Sequence, residues 1–335
     1  MQQFINLTDS EKNELFIRTA SATRISPILL EKDFWVSWLL NLIFQMSISK
    51  DLVFKGGTSL SKCYGLIKRF SEDIDITIDK TIFTEGIKSN ELSGKQFQKL
   101  LESNDQKAVD FVQNQFRPAL EALIEVAIPQ KNQWSVVSDQ AEPKNLRFYY
   151  PTAVKVDDNA YVKQSVLIEI GVRGDVYPCE PMTVLSYVEA QFQNILNSDQ
   201  VKIKTLKPVR TFWEKITLLH AENHRPEGKE HGERLSRHYY DVYQMIREDI
   251  ATDALKNLNI LHDVIENKTR FFKASWARYD EAVPAKLTIF PNQRLLPHLE
   301  QDYKNMNAMI FGNVPSFADI LHEIKGFEGE FNRLS

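Results

Sequence analysis

At 335 residues, with 43% hydrophobic, 11% aromatic and 26% charged side chains, the chain has the length for two domains and the composition of a folded protein, which excludes a disordered tract. A net charge of only −4 excludes a general pull toward nucleic acid, so any basic surface must be local. Cys63 and Cys179, far apart in the chain, suit reduced thiols in a cytoplasm and exclude a disulfide framework.

The first residues lack the basic-then-apolar order of a signal peptide, and a cytoplasmic location is expected. Thr8-Asp9-Ser10-Glu11 forms a capping box, and Ser26-Pro27 sets a capping hydroxyl before a first-turn proline, so two N-terminal helices are predicted. In the second, Leu30, Phe34, Trp35, Trp38, Leu39, Leu42 and Ile43 recur at helical spacing, an apolar face suited to a sheet. The apolar window from Phe34 to Met46 falls short of the ~20 residues a bilayer requires, with Glu31, Lys32 and Asp33 at its edge, so no membrane partner is expected.

Asp51 to Lys55 reads as a strand ended by Gly56-Gly57, Ser59 to Leu66 as a helix, and Asp73 to Ile78 as a strand alternating acidic and apolar residues. Residues 80–130 are polar and helix-prone, an insertion or lid. Strands are predicted again at Trp134–Ser138, Leu146–Tyr150 and Ser165–Val172. From Pro208 the period is helical almost to the end. The organisation is a mixed α/β half, residues 1–200, followed by an α-helical half, residues 201–335.

On a strand, residues two apart face the same way, so Asp73 and Asp75 project from one face while Ile74 and Ile76 enter the core. Adjacent carboxylates repel unless a cation screens them, and hard ions such as Mg²⁺ or Mn²⁺ prefer carboxylate oxygen. Glu169, a lone charge in the apolar run from Val166 to Ile170, is the natural third ligand. Gly56-Gly57 between strand and helix lets peptide N–H groups approach a phosphate, and Thr58, Ser59 and Ser61 add hydroxyls. A phosphate cradle beside a metal-binding acid pair is equipment for phosphoryl or nucleotidyl transfer. Ser71, two residues before Asp73, is a candidate for regulatory phosphorylation, which would add about −2 charge there.

Residues 201–240 hold nine Lys/Arg against five Glu, and four of the seven histidines, a region able to meet a triphosphate or an RNA backbone. Lys215 and Asp241 both sit close to apolar faces. Either they do chemistry or they form a buried pair linking two helices. His220 and His224 are four apart, but the acid between them is misplaced for a zinc-hydrolase motif.

Four stretches carry a resemblance to a known family: Leu30-Glu-Lys-Asp-Phe-Trp35; Phe54-Lys-Gly-Gly-Thr-Ser-Leu-Ser-Lys62 with Arg69-Phe-Ser-Glu-Asp-Ile-Asp75; Ile168-Glu-Ile170; and Lys215 with Arg237-His-Tyr-Tyr-Asp241. The chain resembles the AbiEii/AbiGii-type toxins, nucleotidyltransferase-like proteins of type IV toxin–antitoxin and abortive-infection systems within the polymerase-β-like superfamily. The resemblance implies an α+β fold, a nucleotidyltransferase-like mixed sheet with flanking helices, with residues 201–335 completing the active site. It implies that Gly57 and Ser59 hold the triphosphate, Asp73 and Asp75 the metals, and that Lys215 and Asp241, with Arg237 beside them, complete the nucleotide site. The implied reaction moves a nucleotide from a nucleoside triphosphate to an acceptor hydroxyl, with a tRNA 3′ end as acceptor and a cognate antitoxin protein as partner. The family more usually has Arg-Asp where this chain has Arg237-His238. Two other classes stay open here: a toxin-like protein that binds nucleotide without turnover, and a metal-dependent RNA hydrolase using the same acids.

Overall fold

The computed structural model describes residues 1–335 other than 85–91, 131, 155–162, 194–195, 197–199, 273 and 335. The chain divides into two compact units, one of Met1–Cys63 with Ser71–Thr205, the other of Tyr64–Phe70 with Leu206–Ser335. The short Tyr64–Phe70 segment thus groups with the later part of the chain.

In the first unit, helices α1 (Gln2–Ile5), α2 (Asp9–Thr23) and α3 (Pro27–Ile43) lead through β1 (Leu52–Lys55) into α4 (Gly56–Lys62) and β2 (Ile74–Ile78). The predicted capping box forms, Thr8 accepting from the Glu11 N–H. Ser26 does hold the N-cap position of α3, but its hydroxyl makes no capping bond. Helices α5 (Thr81–Thr84), α6 (Gly94–Phe111) and α7 (Arg117–Ala127) follow, with a π-helical turn at Val112–Phe116. They fill the expected 80–130 insertion, of which 85–91 lies outside the described residues. Then come β3 (Ser135–Ser138), β4 (Leu146–Tyr149), β5 (Ser165–Gly171), β6 (Cys179–Met182), α8 (Tyr187–Gln191) and β7 (Ile203–Leu206).

The strands form one mixed sheet in the order β3-β4-β5-β2-β1-β7-β6. β2 pairs antiparallel with β1 and parallel with β5. Phe54, Ile74, Ile76, Phe148, Val166, Ile168 and Ile170 are buried along one face. Against that face α3 lays Trp35 and Trp38, each with its ring centroid 5.9 Å from that of Phe148. Each such aromatic contributes on the order of 2–3 kcal/mol through burial.

α3 also buries three consecutive charges, Glu31, Lys32 and Asp33. Burial pushes the Asp33 carboxyl above its ordinary range, against the pull of Lys62 and the Tyr187 peptide. It pushes Glu31 up to about 7, although Oε1 accepts the N–H groups of Ala153 and Val154. Glu31 Oε2 has no hydrogen-bond partner among the described residues.

An acid with a raised folded-state pKa binds its proton more tightly when folded, so its contribution is whole below the ordinary value of 4.5 and is lost as pH rises through about 7. That shift corresponds to about 3 kcal/mol. Melting curves of the wild type and Glu31→Gln should therefore diverge, the variant gaining relative stability between about pH 5 and about pH 8. A difference that does not change with pH would refute the assignment.

The second unit is helical: α9 (Pro208–Asn223), α10 (Ser236–Arg247), α11 (Ile250–Lys256), α12 (Leu258–Phe271), α13 (Leu296–Met306) and α14 (Phe317–Phe331). Phe212 and Trp213 of α9 meet Phe327 and Phe331 of α14, with centroids 5.2 Å apart for Phe212–Phe327 and 5.6 Å for Trp213–Phe331.

Candidate active site

The candidate site of the first unit grows from the central strands. Lys55 at the end of β1 is the register partner of Asp75 in β2, and Asp75 is the register partner of Glu169 in β5. Partners across a ladder share a face, so Lys55, Asp75 and Glu169 form a row on the face opposite Ile74, Ile76, Ile168 and Ile170. Asp73 stands one residue before β2, and both aspartates are part-exposed while Ile74 and Ile76 are buried.

Immediately after Lys55 the chain turns into α4, which starts at Gly56 and not at the expected Ser59. Gly56 has φ +82°, in the left-handed region. A Cβ built on it would stand 2.7 Å from Asp75 Cγ and closer still to Oδ2. Only glycine lets backbone and carboxylate meet there. The first peptide N–H groups of a helix have no intrahelical acceptor, so α4 opens with donors beside Asp75.

The hydroxyls behave differently from the glycines. Thr58 and Ser59 are buried. Thr58 Oγ1 donates to the Asp73 carbonyl oxygen at 2.5 Å and lies 2.9 Å from Ser71 Oγ. Ser59 Oγ donates to the Gly56 carbonyl at 2.9 Å. As placed, both hydroxyls brace the turn and the acid segment.

Asp73, Asp75 and Glu169 are not gathered into one cage: among the described residues no group of three or more His, Cys, Asp or Glu side chains converges enough to hold an ion. Mg²⁺ is usually held by one or two carboxylates, its other positions filled by water and substrate phosphate. An aspartate pair beside a helix start fits that donor set.

In the second unit, Arg69 grips Asp241 with both arms, Nε to Oδ1 at 2.7 Å and Nη2 to Oδ2 at 2.8 Å. Lys215 Nζ lies 2.9 Å from Asp241 Oδ2 and 3.3 Å from His238 Nδ1. Burial works to raise the Asp241 carboxyl, but Arg69 and Lys215 outweigh it and hold it well below the usual carboxylate range. Burial pulls the Lys215 ammonium below its ordinary value, with Asp241 acting against it. Burial, then the charges of Lys215 and Arg237, also push His238 well below its usual range, so its ring is neutral. Lys215 and Asp241 thus form the buried pair linking α9 and α10 that was one of the two readings. Arg69, inside a quoted motif, is the partner sequence reasoning missed; no local pattern marks a bond to a residue so far along the chain.

His220 is buried and satisfied, Nε2 meeting the Arg278 carbonyl at 3.0 Å and Nδ1 accepting from the Thr288 N–H at 3.2 Å. Both ring nitrogens are in use, a structural role.

Among solved structures, MenT4, a nucleotidyltransferase toxin from Mycobacterium tuberculosis, is similar with a TM-score of 0.50 and 14% identity, over 98% of this chain and 91% of that chain. At that identity the likeness supports the fold, a mixed α+β architecture with helical C-terminal elements. No curated protein matches the chain. Residues 39–323 match the family described as nucleotidyl transferase AbiEii toxin, type IV toxin–antitoxin system. With most of its length matched in that way, the chain belongs to the AbiEii family of nucleotidyltransferase toxins.

Proposed function

We propose that this nucleotidyltransferase moves a nucleotide from a nucleoside triphosphate to an RNA hydroxyl, a tRNA 3′ end being the acceptor class, in the cytoplasm and under control of a type IV antitoxin protein. The observation that supports the reading is the close approach of the Gly56 backbone to the Asp75 carboxylate, which sets the first N–H groups of α4 beside an acid suited to a metal. Asp73 and Asp75 would hold Mg²⁺ or Mn²⁺, with Glu169 abreast of Asp75 adding negative charge along the same row. The ion, when bound, lowers the pKa of an attacking hydroxyl and neutralises the leaving pyrophosphate.

The chain's own residues supply the rest. Peptide N–H groups at Gly57 and Thr58 receive triphosphate oxygens, with Ser59 holding the turn through Gly56. In the second unit, Arg69, Lys215 and Arg237 outnumber Asp241, a cationic surplus suited to a phosphate-bearing ligand. Asp241 holds the Lys215 ammonium in one place.

Total RNA incubated with the protein, Mg²⁺ or Mn²⁺ and each α-labelled triphosphate in turn tests the reading. One triphosphate should label RNA that grows by single nucleotides. Unlabelled, shortened RNA would replace it with a hydrolase, and nucleotide affinity without pyrophosphate release with a binding protein.

Ser71 is proposed as a point of control. A phosphate there would displace the Thr58 contact and put about −2 charge two residues from Asp73. Titration calorimetry should find weaker Mg²⁺ and nucleotide binding by Ser71→Glu; binding equal to wild type would rule this out.

A further inference from the structure

The three buried charges of α3 lie before the residues matched to the family, and none of them belongs to the site described above. At helical spacing they point in three directions, and two of them reach the two halves of that site. Lys32 Nζ donates to Glu72 Oε2 at 2.6 Å and to the Lys163 carbonyl at 2.9 Å, and Glu72 directly precedes Asp73. Asp33 Oδ1 receives Lys62 Nζ at 2.6 Å, and Lys62 is the last residue of α4. Asp33 Oδ2 accepts the Tyr187 N–H at 2.8 Å, and the Lys62 ammonium lies 4.5 Å from the Tyr187 ring centroid. The third side is the Thr58 bond from α4 to the Asp73 carbonyl. Three ties therefore close a triangle: α3 to α4, α3 to the acid segment, and α4 to the acid segment.

Buried ion pairs are a poor source of stability, because desolvation consumes most of the Coulomb gain and apolar pairs of like volume often serve as well. What they add is a fixed distance and direction. We infer that Lys32 and Asp33 are positioning residues for nucleotidyl transfer, holding Asp73 and the Gly56–Ser59 turn in register from the far face of the sheet. The inference rests on the proposed role of those two elements. It extends to the metal, because an acid pair held in one place binds a divalent ion without first being ordered.

The test compares Glu72→Gln, the double variant Lys32→Met/Glu72→Met, and Asp73→Asn as reference. The double variant removes both charges of this pair together, so it should melt closer to the wild type than Glu72→Gln does, which leaves Lys32 without its carboxylate. Its kcat should nevertheless fall by about 10- to 100-fold, the effect of a displacement near 1 Å, while KM for the triphosphate holds. Mn²⁺ affinity, read by electron paramagnetic resonance without nucleotide, should weaken in parallel, and Glu72→Gln should show the same trend. A purely structural role predicts that kcat and Mn²⁺ affinity recover together with the melting temperature, and that result would overturn the inference. Wild-type transfer by Asp73→Asn would instead remove the site itself; a dead Asp73→Asn beside an active double variant removes only the positioning role.

Discussion

Asp73→Asn should lose label transfer by at least about 10³-fold while folding as the wild type does. Asparagine keeps the shape and removes only the charge. The bond from Thr58 Oγ1 goes to the backbone oxygen of residue 73, so it survives the substitution. Asp73 is also part-exposed, so the change leaves no buried hole. Transfer followed on a sequencing gel, with circular dichroism to check the fold, separates the two quantities. A transfer rate near wild type would exclude Asp73 from the reaction. The same substitution at Asp75 should be equally damaging, since that carboxylate is the one the Gly56 backbone meets.

The largest expected loss of stability comes from Asp241→Asn. The carboxylate is fully buried and answers two cations, Arg69 and Lys215. Removing its charge leaves both facing a neutral amide, and breaking a buried pair in this way costs about 3–5 kcal/mol. Lys215→Met is the informative contrast, because it leaves Asp241 in its two-armed bond with Arg69 and creates no uncompensated cation. Its cost should be closer to that of one charged hydrogen bond, about 1.5–3 kcal/mol. Because the Asp241 carboxyl lies below its ordinary value, its contribution is complete above about pH 4 and declines only as pH falls through the depressed value. Urea unfolding of the two variants at neutral pH decides the matter, and equal losses would contradict the arrangement of charges described for α10.

Much of the scaffold around the candidate site was legible because its signals are local. Alternation at period two placed Ile74 and Ile76 inside and Asp75 outside, and the apolar run around Glu169 located β5 to within a residue of its end. The start of α4 was misjudged because glycine is read as a breaker, whereas Gly56 enters the helix with a left-handed φ that its own lack of a Cβ allows. β6 and β7 went unread for opposite reasons. β6 carries Pro181, which a strand tolerates at a sheet edge, where the topology puts it. β7, Ile-Lys-Thr-Leu, shows no clean alternation of apolar and polar residues. Least legible were the partners of buried charges. Glu31, Lys32 and Asp33 read as a polar border to an apolar stretch, and nothing nearby names Glu72 or Lys62, 40 and 29 residues further on, as their complements.

The absence of one methyl group at position 56 has a wider bearing on how such chains are sorted. A homologue could keep every acid of the Asp-Ile-Asp run and still be inert, since a side chain at that point would evict the second carboxylate from its seat. On the role proposed for Asp75, a relative that keeps both acids but carries a side chain at that point is expected to lose transfer, so the small residue after β1 tells as much as the acids do.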